Sequence, residues 1–201
     1  MKKLIILYLI AFLPIHLFAQ KDTKASDILK KTEHLIQKSG GIRTVFEARE
    51  KGELWMKGDK FYLNCAGIQT WYNGKTQWSY VEDNEEVNIS TPTLEELQQI
   101  NPYLLMKSYK SGYNFQYKGN RTINHQTGYE IVLTPLKQQD ISSITLLIST
   151  EYIPLYIKIE QNHLSSVEFY ITTFQESPDL SDEWFTFDKN KFPDAEIIDL
   201  R

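Results

Sequence analysis

Trp71-Tyr72-Asn73-Gly74-Lys75-Thr76-Gln77-Trp78-Ser79-Tyr80, continuing through Val81 to Val87-Asn88-Ile89-Ser90, is the stretch on which the reading of this chain turns. Two extended runs flank Asn73-Gly74, the pair that most easily takes the positive φ of a tight turn, so the stretch predicts a β-hairpin. After the turn Lys75, Gln77 and Ser79 alternate with Thr76, Trp78 and Tyr80. One face is therefore strongly aromatic. A second reversal at Glu82-Asp83-Asn84 leads into Glu86–Ser90 and extends the hairpin to a meander.

The same pattern spreads in both directions from there. Upstream, Ile28, Leu29, Thr32, Leu35 and Ile36 share one helical face across residues 24–38, with Thr23 or Ser26 as N-cap and Gly40-Gly41 as the stop. From Ile42 the period becomes two, with Ile42, Thr44, Phe46 and Ala48 facing one way. Gly52–Lys57 and Lys60–Cys65 form two further strands around a Gly58-Asp59 turn. Downstream, Thr91–Tyr109 breaks the β-pattern: Thr91 caps, Pro92 suits the first helical position, and Glu95-Glu96 sit at the favourable end of the dipole. Pro102 ends this helix and starts another carrying Tyr103, Leu104, Leu105, Met106 and Tyr109. This pair reads either as a lid or as ordinary helix packing on a sheet. Strands resume beyond Gly112, over 114–119, 128–134, 141–149, 155–160 and 167–174, and Trp184–Asp188 and Phe192–Arg201 close the chain. The fold expected is α+β: a strongly curved antiparallel sheet or unclosed β-barrel of about eleven strands, with three helices on its concave side.

Composition narrows what such a fold could do. Met1-Lys2-Lys3 and the apolar run Leu4–Leu13, followed by Ala19-Gln20, read as a signal peptide over residues 1–19 and a single domain over 20–201. The alternative, an uncleaved anchor, fits less well with Pro14 and His16 interrupting the run. Without Lys2 and Lys3 the 22 basic residues become 20 against 26 acidic ones, a net charge of −6. That charge argues against nucleic acid or an anionic membrane surface as partner. Cys65 is the only cysteine, so packing alone holds the fold, and a buried apolar role suits it better than a nucleophilic one. His34 falls on the first helix, and His125 and His163 fall in turns. No metal-ligand spacing, GxSxG or phosphate loop accompanies them, so neither catalysis, metal nor cofactor is expected.

Several segments in order resemble the periplasmic outer-membrane lipoprotein carrier family, LolA. Gly52-Glu53-Leu54-Trp55-Met56-Lys57 with Phe61 is similar to that family's G-x-L-W-x-K…F strand pair. Asn73–Tyr80 with Glu86-Val87 resembles its D-G-K-T-L-W-x-Y…Q-V hairpin. Tyr129–Pro135 resembles its F-x-L-T-P strand, and Phe185-Thr186-Phe187 its closing F-x-F. The resemblance spans residues from about 24 to the C-terminus. It implies a monomeric carrier that takes lipoprotein acyl chains into an apolar cavity, from an inner-membrane transporter to an outer-membrane acceptor. The cavity lining expected on that basis is Trp55, Phe61, Leu63, Trp71, Trp78 and Tyr80 from the sheet, with Leu97, Ile100, Leu104 and Leu105 from the helices. The chain departs from the family at Gly58-Asp59, where an Arg-Pro is common and the arginine is associated with holding the lid. Arg43 and Arg49 are the substitutes considered. A lipoprotein-sensing regulator and a structural β-module filled by its own side chains are the competing readings.

Overall fold

The computed structural model describes residues 22–163, 165–177 and 179–201; the expected signal peptide lies outside them. Twelve strands form one sheet in the order β12-β6-β5-β4-β3-β2-β1-β11-β10-β9-β8-β7, and its ends do not meet. The first half is a meander of β1 (Ile42–Glu47), β2 (Lys51–Lys57), β3 (Lys60–Cys65), β4 (Ile68–Tyr72), β5 (Gln77–Val81) and β6 (Glu86–Ser90). The second half comprises β7 (Tyr113–Ile123), β8 (Gln126–Pro135), β9 (Ile141–Ile148), β10 (Pro154–Gln161) and β11 (Val167–Glu176). Antiparallel pairing of β1 with β11 joins the halves. The twelfth strand, β12 (Glu196–Asp199), adds parallel to β6, one more than the eleven expected. Trp184 and Phe185, in the closing segment, belong to a 3-10 turn over Asp182–Phe185, which buries Phe185 completely against the sheet.

Local chemistry accounts for the turns. The central hairpin has a four-residue loop, Asn73–Thr76, between paired Tyr72 and Gln77. Asn73 Oδ1 accepts from the backbone N–H of Lys75 (3.0 Å) and Thr76 (2.9 Å), and Gly74 takes φ +96°. The asparagine side chain thus builds the turn that its backbone was expected to make alone. At the other end of the sheet Asn124 and His125 both adopt positive φ in a two-residue turn between β7 and β8.

Three helices lie on one face of the sheet. Helix α1 (Thr23–Lys38) starts at Asp22, which accepts from Ala25 N–H at 3.0 Å, and buries Ala25, Ile28, Leu29 and Thr32. The other Asp22 oxygen accepts from Tyr117 N–H at 2.8 Å, tying the helix start to edge strand β7. Helix α2 (Leu94–Ile100) is capped by Thr93 and not by Thr91. The reason is a reciprocal capping box: Thr93 Oγ1 accepts from Glu96 N–H (3.3 Å), and Glu96 Oε2 accepts from Thr93 N–H (2.7 Å). Pro102 ends α2 as expected; a 3-10 turn over Pro102–Leu104 then leads into α3 (Leu105–Gly112).

The main core lies between these helices and the sheet. Rows of side chains cross the strands on this face, for example Phe115, Leu133, Ile144 and Ile159, and Ile131, Leu146 and Ile157. Phe46, Leu54, Met56, Phe61 and Tyr72 continue it across the first meander, and Leu97, Tyr103, Leu104 and Tyr109 meet them from the helices.

Candidate functional site

Strand alternation decides which expected residues can share a site. On β2, Gly52, Leu54 and Met56 are buried, while Glu53, Trp55 and Lys57 lie on the opposite face. On β3, Phe61 is buried and turns with Leu63 toward the helices. Register then carries the parity across the sheet: Phe61 faces Tyr72, and Tyr62 faces Trp71, which faces Trp78. The ten expected lining residues are therefore not brought together. Phe61, Leu63, Leu97, Ile100 and Leu104 belong to the helix-side core. Trp55, Trp71, Trp78 and Tyr80 are on the outer face, and the side chain of Leu105 is outside the description.

What occupies the helix-side hollow is the α2–α3 segment itself. Tyr103, Leu104 and Tyr109 are 5%, 4% and 1% exposed, so the segment is inserted and does not merely rest on the surface. Its corner is Asn101, fully buried, whose Oδ1 accepts from Tyr103 N–H (3.1 Å) and whose Nδ2 points at Met56 Sδ (3.0 Å). A thioether is a weak acceptor, so this link to β2 is correspondingly soft.

Two phenols are poorly served by this arrangement. Tyr103 lies near Thr44, whose own hydroxyl is directed at Leu54 C=O (3.5 Å), and the Tyr103 hydroxyl has no hydrogen-bond partner. Burial drives its pKa far above the ordinary tyrosine value. The Tyr109 hydroxyl is likewise buried without a partner, and burial, with Glu33 nearby, pushes it up to about 12. Glu33 instead accepts from Lys110 Nζ at 2.6 Å, an ion pair between α1 and α3. Lys110 is 53% exposed, so the pair contributes at most about 1 kcal/mol.

Beside this plug the core opens through a gap of about 190 Å³. Ile36, Ile42, Met56, Tyr103 and Leu104 form its walls and Glu33 and Gln37 its rim. A cavity of about 150 Å³ holds a benzene-sized molecule, so the gap as it stands is far too small for a long alkyl chain.

Neither arginine considered as a lid clasp reaches the helices. Arg43 is on the outer face, bonded to Glu53 (2.5 Å) and Gln175 (3.2 Å), and Arg49 donates to Ser165 (3.0 Å). The residues that position the segment are Asn101, Met56, Tyr103 and Tyr109. Composition offered one signal for them, the concentration of tyrosines and leucines after Pro102.

An open half-barrel whose hollow is filled by a helical segment of its own defines the architectural class. The sequence profile of the family described as outer membrane lipoprotein carrier protein LolA matches residues 15–163, and the chain belongs to that family. Among solved structures, an uncharacterized conserved protein from Thermus thermophilus is similar in fold, with TM-score 0.61 and 14% identity over 88% of this chain and 99% of that one. A putative outer membrane lipoprotein-sorting protein domain from Vibrio parahaemolyticus gives TM-score 0.46 and 12% identity, covering 85% and 98% of the two chains. A LolA superfamily protein from Nitrosomonas europaea gives TM-score 0.42 and 13% identity, covering 81% and 97%. A comparison with curated proteins finds no match.

Proposed function

We propose that this protein is a periplasmic lipoprotein carrier that shelters acyl chains in the hollow between its sheet and helices. The observation that carries this reading is the α2–α3 plug, an apolar insertion that closes the hollow while leaving buried phenol hydroxyls unpaired. Burying a methylene stabilises by about 0.8 kcal/mol, so a chain of about fifteen contributes on the order of 12 kcal/mol. Exchange of plug for cargo sets that gain against the plug's own burial. The unpaired Tyr103 and Tyr109 hydroxyls, at about 1–3 kcal/mol each, lower the stability of the closed state and make the exchange accessible. A carrier needs such a balance, since cargo held without competition would never be released.

On this reading the chain is exported by a signal peptide cleaved after residue 19, works as a monomeric non-enzymatic domain from 20 to 201, receives lipoproteins from an inner-membrane transporter and delivers them to an outer-membrane acceptor. The Arg-independent plug would be held by Asn101 and the tyrosines in place of a clasp. The test is transfer of a fluorescently labelled lipoprotein from inner-membrane vesicles to the purified protein. A soluble one-to-one complex is expected. Absence of any complex, with the hollow remaining filled, would favour a structural module instead.

A further inference from the structure

The four tryptophans lie away from the acyl hollow, and two of them, Trp71 and Trp184, line a second and larger space with Tyr62, Phe187 and Phe192. The segment Ser181–Phe192 crosses the outer face of β3 and β4 and leaves a cleft of about 760 Å³. That is within the span of about 300–1,000 Å³ typical of small-ligand sites. We propose that this cleft binds a neutral oligosaccharide, a ring face against Trp184 over a floor that includes the buried Trp71, and its hydroxyls on Glu183 and Asp188.

The cleft is built in advance of any ligand. Asp182 is held by Lys60 (2.5 Å) and Lys57 (3.3 Å), Lys57 also donates to Leu180 C=O (2.8 Å), and the Phe185 side chain is fully buried. Trp184 is nonetheless 51% exposed. It is braced from behind by stacking on Trp55, with ring centroids 5.3 Å apart and planes 21° from parallel. Trp55 is in turn fixed by a hydrogen bond from its Nε1 to Glu53 (2.6 Å) and by Arg43 lying over its ring. A large ring held rigid and half in water presents a ready stacking surface.

The chemistry of the lining selects among ligands. The rings of the floor pack on one another, Trp71 against Phe187 at 5.4 Å and against Phe192 at 5.7 Å. No ammonium group can enter between rings so close, which rules out an aromatic cation cage. A proline-rich peptide would need several ring donors for its carbonyls, and of the lining's donors Tyr62 O–H is already engaged by Gln69 at 3.0 Å. Glu183 and Asp188 against the single Lys191 disfavour an anion. What the cleft offers is acceptors: Asp188 Oδ1 takes both Asn190 donors, which leaves Oδ2 and the Glu183 carboxylate without partners among the described residues. Flat apolar rings flanked by open carboxylates complement a sugar, which has C–H faces and hydroxyl donors around its edge.

The test is saturation-transfer NMR and tryptophan fluorescence on the whole protein, with cellotetraose, maltotetraose, N-acetylchitotetraose and a proline-rich decapeptide as probes. At least one oligosaccharide should bind with Kd at or below about 1 mM. Trp184→Ala should weaken it by about tenfold. Glu183→Gln, which disturbs no bond of the folded chain, should weaken it by a similar factor, about tenfold. Lipoprotein uptake should be unchanged in both variants, so the result stands apart from the acyl site. The proposal is overturned if none of the sugars binds, if both variants bind them normally, or if only the peptide binds.

Discussion

Tyr103 places a phenol where a phenylalanine would fill the same space without an orphaned hydroxyl. If the plug is poised for displacement, Tyr103→Phe should stabilise the empty protein by about 1–3 kcal/mol in urea unfolding and slow uptake of cargo. Loss of stability in that variant would mean the hydroxyl has a partner after all. Gly52 is constrained more simply. A Cβ there would sit 2.3 Å from Cζ of the buried Phe46 ring, so Gly52→Ala should destabilise by about 1–3 kcal/mol, measured the same way. The face assigned to each residue was largely legible beforehand. Glu53 and Lys57 share the alternation of Trp55, and Lys60 and Asn64 that of Tyr62, which already marks those faces as the outer ones. Grouping Trp55 with Phe61 followed aromatic character and set the period of two aside. Nothing in the sequence, by contrast, announced that Tyr103 would be buried unpaired.

Among the elements, α2 depends most on its first turn. Hydrogen bonds from the Thr93 backbone and then its hydroxyl hold the Glu96 carboxyl below its ordinary pKa of 4.5. A carboxyl with a depressed folded pKa stabilises above its unfolded pKa, and that contribution is lost as pH falls through the folded value. Helix α2 should therefore loosen below about pH 4.5, and Glu96→Gln should remove that pH dependence from uptake kinetics. Thr93→Ala should cost about 1 kcal/mol of helix stability and accelerate opening. An unchanged opening rate would show that α2 does not move. The Thr93-x-x-Glu96 spacing and the Asn101-Pro102 break were both visible in the sequence, so the existence of two helices was predictable, whereas the choice of Thr93 over Thr91 depended on Glu96 reaching back. The closing Phe185-Thr186-Phe187 is legible as a family resemblance but not as a conformation: Asp182, paired with Lys57 and Lys60, anchors a 3-10 turn that ends at Phe185.

At the scale of the whole molecule, cargo can enter only if the plug leaves the hollow. Glu33→Cys and Lys110→Cys, combined with Cys65→Ser and joined by a short bismaleimide, would fasten α3 to α1 across their ion pair. The linked protein should lose lipoprotein uptake and the unlinked one retain it; equal uptake by both would show that cargo enters without the helices parting. The overall architecture was legible because eleven of its twelve strands follow turn chemistry and alternation that are local. The partner of β12 was not, since a parallel pairing with β6 involves residues distant in sequence.

The junction of the two meanders has a kinetic meaning. Strand β1, residues 42–47, completes its pairing only with β11, residues 170–176, so the sheet becomes continuous when the far end of the chain returns to the near end. Contacts spanning so much sequence make folding slow, on the scale of milliseconds to seconds. If the chain is exported as proposed, it must pass its channel unfolded, and a late-closing seam would help keep it so during the passage.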